Sequence, residues 1–346
     1  MRTEMLWDGP EGPDRIDALA RALEALGHSV AVDGPTGDPG RETAELLTRR
    51  FRAHDTDLVH ANAWTAAAAA LGSAAEQGIP VVVSGLPDGL PRQLARFVAQ
   101  RCARLIVPGE QNVAAGRALG APRESIRVIP PGVDADGFAV DGPALQRADH
   151  PRLLSVGDIG AGSGTDDLIA ALARVPRAEL LVAGGPATDD PAVDPDADPD
   201  LARLRHLAAH AGVERRVRLL GRVPRAHLPA LLRSADVVVH VPHRAGAGLE
   251  VLEAMACGRP VVASSVGLLP EHVVEFSTGL LVAPASPVDL ARTVRMLLSE
   301  GPLMAAFGIA GRDRVQARFG WPVIAGAVER VHREVVPERQ PERAPG

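Results

Sequence analysis

The residues best suited to chemistry lie in the run GLEVLEAMACGRPVVAS, which begins at Gly248. The run reads as a helix, a turn at Gly258 and a buried strand. Gly248 falls at the helix start, where backbone N–H groups without intrahelical partners can hold an anion such as a diphosphate. Glu250 and Glu253 lie three positions apart on the first turns, so a carboxylate there can accept ribose hydroxyls while the helix terminus faces phosphates. The plainer reading is that acids in a first turn only complement the helix dipole, by about 0.3–1 kcal/mol each. Position alone favours the plainer reading.

Other constellations point to less. Gly157, Gly160, Gly162 and Gly164 sit between a strand and a helix, but Thr165 stands where a dinucleotide fingerprint needs its third glycine. No acid closes the next strand either, which ends at Ala183 and Gly184. Asp194, Asp196, Asp198 and Asp200 alternate like a calcium loop, yet Pro199 takes the place of the required Gly and Arg205 that of the terminal Glu. His206 and His210 are four apart, but Leu207 replaces the Glu of a zinc-protease helix, so both read as surface residues and no metal is expected. Ser163 lacks the flanking glycines of a nucleophile elbow. His60 and Asn62 end a strand, where they either touch a ligand or pack.

Composition excludes several classes. None of the 346 residues is Lys, so all 37 basic residues are Arg, and Schiff-base chemistry, a phosphate-loop lysine and a lysine general base are ruled out. A net charge of −6 without a dominant basic face excludes nucleic acid bound by bulk charge. Cys102 and Cys257 lie far apart without metal-ligand spacing, which suits a reduced, cytoplasmic chain. The start MRTEMLWDGPEGP has no apolar core for a signal peptide, and the longest apolar stretch, 63–83, is interrupted by polar residues and Pro80. A helix over 92–104 sets Arg92, Arg96, Arg101 and Arg104 beside Leu94, Phe97, Val98 and Cys102. That pattern fits a peripheral membrane contact or, as the favoured reading, the solvated face of a core-packed helix.

These residues must be positioned by an alternation of short apolar strands and amphipathic helices. Expected strands are Glu4–Trp7, Ser29–Val32, Asp57–Ala61, Pro80–Ser84, Arg104–Val107 and Ile126–Ile129, then Leu153–Val156, Glu179–Ala183, Val217–Leu220, Val237–Val241, Pro260–Ala263 and Gly279–Val282. Runs such as LVHA and VVVS are apolar on both faces, as strands of a covered parallel sheet are. In Arg15–Leu26, Ile16, Leu19, Leu23 and Leu26 recur at helical steps. The expected fold is α/β, with two doubly wound Rossmann-like domains facing a cleft and a ligand site at the carboxyl ends of the strands. The boundaries expected are a shortened first domain over 1–131, a Pro-, Gly- and Asp-rich linker over 132–150 and a second domain over 151–320. A closing helix over 321–336, a candidate to cross back to the first domain, and a tail over 337–346 complete the chain.

The wider wording carries a resemblance. VIPPGVD (128–134), LLVAGGP (180–186), LLGRVPRAHLPALLRSADVVVHVP, GLEVLEAMACGRPVVASSVGLLPEHV, TGLLVAPASPVDLA and FGIAGRDRVQARFGW (307–321) occur in order. Together they resemble the donor domain of retaining glycosyltransferase family 4, which has the GT-B fold. The resemblance implies metal-independent transfer of a sugar, with retention, from a UDP- or GDP-type nucleotide sugar, a co-substrate rather than a bound cofactor, to an unknown acceptor. It implies that Glu253 binds ribose and that the backbone of Gly248, Leu249 and Glu250 meets the diphosphate. It also implies that Arg222 and Val223 line the base, with Gly184 and Gly185 beside the nucleotide.

The chain departs from the family at its chemistry. Ala245 stands where the family has the first Glu of its pair, and Asp158 and Ser163 where it has the Arg and Lys that stabilise the leaving diphosphate. The first-strand loop reads WDGPEGPD, in which Pro10 and Pro13 offer no N–H and Glu11 and Asp14 bring negative charge. Ser84 takes the place of a usual His. Arg244 is the nearest candidate to supply the missing charge. The departures imply an alternative, a catalytically impaired paralogue that binds a sugar nucleotide or supports an active protein partner.

Overall fold

A computed structural model describes residues 1–7, 13–34, 41–87, 90–147, 149–186, 198–244 and 246–336. The chain forms two compact units, one of 1–132 together with the segment from Trp321 onward, the other of 133–320.

Unit 1 alternates β1 (Arg2–Leu6), α1 (Pro13–Glu24), β2 (Ser29–Asp33), α2 (Arg41–Ala53), β3 (Leu58–Ala61), α3 (Trp64–Ala75), β4 (Val81–Ser84), α4 (Arg92–Arg101), β5 (Arg104–Val107), α5 (Val113–Ala118) and β6 (Ile126–Val128). Unit 2 continues with β7 (Arg152–Val156), α6 (Thr165–Leu172), β8 (Glu179–Ala183), α7 (Pro199–His210), β9 (Val217–Gly221), α8 (Leu228–Arg233), β10 (Val237–His240), α9 (Leu249–Ala256), β11 (Val261–Ser264), α10 (Leu269–His272), β12 (Gly279–Val282), α11 (Pro287–Ser299) and α12 (Gly301–Arg318). The last helix, α13 (Trp321–Val335), returns to unit 1 and packs on α1.

Among the described residues each unit has one six-stranded sheet, in the orders β2-β1-β3-β4-β5-β6 and β12-β11-β10-β7-β8-β9. Every pairing is parallel. Both faces of each sheet are buried, as parallel sheets require. In unit 2, Leu153, Val237 and Val239 go to one core, while Leu154 and Val238, their pleat neighbours, go to the other. In unit 1, Val59, Val81 and Val83 face α3, whereas Met5, Leu58, Val82 and Ile106 are covered by α1 and by Ile324, Ala325, Val328 and Val331 of α13.

Residues 133–150 belong with unit 2 rather than standing apart as a linker. Val133 and Phe138 are buried in its core, and the Val133 N–H donates to Phe319 O at 2.8 Å, so the two ends of unit 2 are tied together. The arginine row expected over 92–104 is also shorter than read. The helix stops at Arg101, and Arg104 lies on β5 with its Nε 2.9 Å from Glu334 Oε2 on α13. Arg92, Arg96 and Arg101 are exposed, with the Arg101 guanidinium 4.4 Å from the Phe97 ring centre, while Ala95, Val98 and Ala99 face the core. Among the described residues no helix is long and apolar enough to cross a membrane.

Charge is buried in pairs. Arg152 at the start of β7 is 4% exposed and holds Glu179, at the start of β8, through Nε at 2.6 Å. Glu4 on β1 is held by Arg50 of α2, which also binds Asp33.

Candidate functional site

In unit 2 the strand order reverses between β7 and β10, and in open α/β sheets the loops at the carboxyl ends beside such a reversal form the ligand crevice. The loops after β7, β8 and β10 meet there. Glycines let their backbones approach. A Cβ on Gly184 would lie 1.8 Å from Gly157 O, and one on Gly164, whose φ is +82°, would lie 1.9 Å from Val241 O. Gly184→Ala is therefore expected to destabilise unit 2 by about 2–3 kcal/mol, because a carbonyl cannot move aside as a side chain can. A urea midpoint within error of the parent would show that the loops are not packed this way.

The β7 loop is shaped as follows. Asp158 is exposed, and its Oδ1 accepts from the Gly160 N–H at 3.1 Å. Ile159 is buried beneath Gly184 and Gly185. Ser163 is half-buried at the start of α6, with Oγ 3.1 Å from Thr165 Oγ1. Sequence reading missed Arg203 of α7, whose Nη2 donates to Ile159 O at 2.6 Å while the guanidinium also binds Asp166 and Asp200. This arginine braces the loop from behind.

The β10 loop crosses in front. The His243 N–H donates to Gly162 O at 2.8 Å, and His243 Nε2 lies 2.6 Å from Asp167 Oδ2. Arg244, Gly246 and Ala247 are exposed, and Ala245 lies outside the described residues. Gly248 caps α9 with φ +64°, against Leu269 and the His272 ring, where a side chain would collide. Leu249 and Glu250 open the helix half-buried. A Glu250 oxygen sits 3.9 Å from His240 Nε2, and the same side chain lies over Gly157. Burial lowers the His240 pKa, against the Glu250 carboxylate that acts to raise it.

Glu253 is 5% exposed, and its Oε1 accepts from Arg225 Nη2 at 2.8 Å. The Arg225 guanidinium in turn stands 5.1 Å from the Phe138 ring centre. A buried carboxylate demands a basic partner, but which of the 37 arginines supplies it is not written in the local spacing. Arg222 is exposed with its N–H donated to Pro186 O at 2.8 Å, and Val223 packs on the core, so the loop after β9 is tied to the one after β8.

The site thus assembles Gly184, Gly185, Gly248, Leu249, Glu250 and Glu253 around the carboxyl ends of β7, β8 and β10, with Asp158 and Ser163 on its rim loop. Cys257 takes no part, since burial pushes its thiol up to about 12, as it does Cys102 to about 11. His206 and His210 are exposed on α7. The expectations about Pro10 and Glu11 in the first-strand loop, about Asp194 and Asp196, and about the 337–346 tail fall outside the described residues. In unit 1, His60 is fully buried with Nε2 2.7 Å from Ser84 Oγ, whereas Asn62 and Ser84 line a cavity of about 840 Å3.

The family model described as glycosyl transferases group 1 matches residues 143–314, and that of glycosyltransferase family 4 matches 41–136. A D-inositol 3-phosphate glycosyltransferase of Kineococcus radiotolerans is 32% identical, with 91% of this chain and 80% of that protein covered. A GDP-mannose-dependent alpha-(1-6)-phosphatidylinositol monomannoside mannosyltransferase of Mycobacterium tuberculosis is 29% identical, covering 91% and 85%. In fold, the Anabaena protein HepE, solved with UDP, superposes with a TM-score of 0.78 at 20% identity over 96% of this chain and 100% of that one.

Proposed function

The chain belongs to the group 1 glycosyltransferases, and we propose that it transfers a sugar from a UDP- or GDP-type nucleotide sugar to an acceptor, with retention and without a metal ion. The observation that carries this reading is the start of α9, where Gly248 brings N–H groups and the buried Glu253 brings a carboxylate to the strand-order reversal. In this reading the N–H groups of the helix start hold the diphosphate, which the helix dipole favours. Glu253, fixed by Arg225, accepts from the ribose hydroxyls, and Gly184 and Gly185 leave room for the nucleotide. Arg244, exposed beside residue 245, supplies positive charge to the leaving group.

A second reading rests on Asp158 and Ser163. An exposed carboxylate on the β7 loop repels a diphosphate where the family carries basic side chains, and each lost oxyanion-type donor costs on the order of 10²–10³ in rate. The chain would then bind the nucleotide sugar with little turnover.

Calorimetry with UDP and GDP, followed by donor-hydrolysis assays with their sugars, separates the two. Glu253→Ala is expected to weaken nucleotide binding about 10–100-fold, the worth of hydrogen bonds to a charged group. Turnover that disappears in this variant supports the transferase. Binding without turnover for any donor supports the second reading, and unchanged affinity in Glu253→Ala removes the carboxylate from both.

A further inference from the structure

Fixed positive charge is scarce around the start of α9. Asp158 and Ser163 hold the places of the family's basic pair. Of the arginines that brace the site, Arg203 is taken by Asp166 and Asp200, and Arg225 by Glu253. Arg244 is exposed on the β10 loop. Its neighbour His243 is by contrast fixed at two points. The His243 N–H donates to Gly162 O at 2.8 Å, and His243 Nε2 lies 2.6 Å from Asp167 Oδ2 in the first turn of α6. The two contacts fall on either side of Ser163 in the chain. The imidazole is 36% exposed and the carboxylate 18%, so the pair is held yet open, beside the carboxyl ends of β7 and β10.

The pairing decides what the ring can offer an anion. A carboxylate only accepts, so Nε2 carries a proton whatever the charge of the ring. Nδ1 has no hydrogen-bond partner among the described residues. In the neutral ring Nδ1 is a lone pair, which repels a phosphate oxygen. In the imidazolium it is a second N–H donor on a charged group, and such bonds to phosphate are the stronger kind. The other charged groups nearby leave this role open. Asp166 on α6 is held by Arg203, Asp158 on the β7 loop accepts from the Gly160 N–H, and Glu250 on α9 lies over Gly157 beside His240. The two other histidines beside α9 are buried as neutral rings. Burial lowers the His240 pKa and drives His272 down to about 4.

We propose that the imidazolium of His243 binds the diphosphate of the nucleotide sugar, with Asp167 as its positioning residue, so that donor binding takes up a proton. The proposal rests on the glycosyl-transfer reading of the same site. The sign follows from the chemistry: the complex holds more protons than the free chain, so affinity rises as the pH falls.

The test is calorimetry on the full chain with UDP-glucose and GDP-mannose at pH 8.0 and 6.5. Their diphosphates are diesters and stay ionised over this range, unlike a terminal phosphate, which titrates near about pH 6. At least one donor is expected to bind about 3–10-fold more tightly at pH 6.5, across the range where an imidazole changes charge. Its binding enthalpy at pH 7.5 should vary with the ionisation enthalpy of the buffer, in the sense of proton uptake. His243→Gln should abolish both effects, and His243→Arg, whose charge does not titrate, should bind equally at the two pH values. Asp167→Asn should reduce the gain at pH 6.5. A role confined to stapling the loop predicts losses that are equal at both pH values with proton uptake intact, and that result overturns the proposal. The parent chain alone also decides it, since binding without proton uptake overturns it and leaves the transferase reading standing. Failure of both donors to bind at either pH overturns the two together.

Discussion

Lowering the pH from 7 to 5 is expected to destabilise both units, by about 2 kcal/mol for each of His60 and His272. Burial holds both imidazoles near 4 in the folded protein, while in the unfolded chain they take up protons below about 6.5. Between those values the unfolded state binds more protons, so stability is complete above pH 6.5 and falls as the pH drops toward 4. His332, lowered by burial and by the nearby His60 and His28, adds to the loss in unit 1. Glu329 and Glu334, whose pKa values are lowered first by hydrogen bonds from His28 and from Arg127, carry the loss to still lower pH as they are protonated. About 2 kcal/mol in each unit is a sizeable share of the 5–15 kcal/mol by which a domain is held. Urea titrations at the two pH values measure it, and coincident midpoints would show that these rings are not buried as neutral groups.

Arg152→Ala is the second large effect. The side chain is 4% exposed and anchored by Glu179 and by Gln146 O, and Glu179 is itself buried, with His150 3.5 Å away on its other oxygen. Removing the guanidinium leaves a carboxylate in a poorly solvated position and should cost about 3–5 kcal/mol. Replacing both members, Arg152→Met with Glu179→Leu, should recover most of that loss, since the cost lies in the stranded charge. A single substitution that shifts the urea midpoint no more than a surface change does would mean that water reaches Glu179.

Local order was legible because period and punctuation decide it. Arg104–Val107, Glu179–Ala183 and Gly279–Val282 form strands over the residues expected. The strand expected from Pro260 instead starts at Val261, because proline has no N–H to give the ladder. The helix expected over 15–26 is shifted to Pro13–Glu24, with proline suited to its first turn and Gly27, at φ +87°, closing its end by donating its N–H to Glu24 O at 2.9 Å. The position of Glu253 on α9 was likewise readable from the run after Gly248.

Partnership across the chain was not legible. Arg225 and Glu253, Arg203 and the Ile159 carbonyl, and above all His60 and His332, 272 positions apart, meet only because the sheets order their strands as they do. In a chain whose 37 basic groups are all Arg, residue type cannot tell a buried partner from a solvated one. The His60–His332 contact depends on the return of α13 to unit 1, which a sequence pattern can nominate but not place.

That return sets an order of events during synthesis. Residues 133–320 leave the ribosome before Trp321–Val335, so unit 2 has all its residues outside while α13 has still to emerge. Its two ends, tied by the Val133–Phe319 hydrogen bond, can close at once. Strands β1–β6 emerge first yet wait longest, with Met5, Leu58, Val82 and Ile106 lacking the cover that Ile324, Ala325 and Val328 supply. The half of the protein translated first is thus the last to be finished, and its uncovered sheet face is what the nascent chain shows to chaperones.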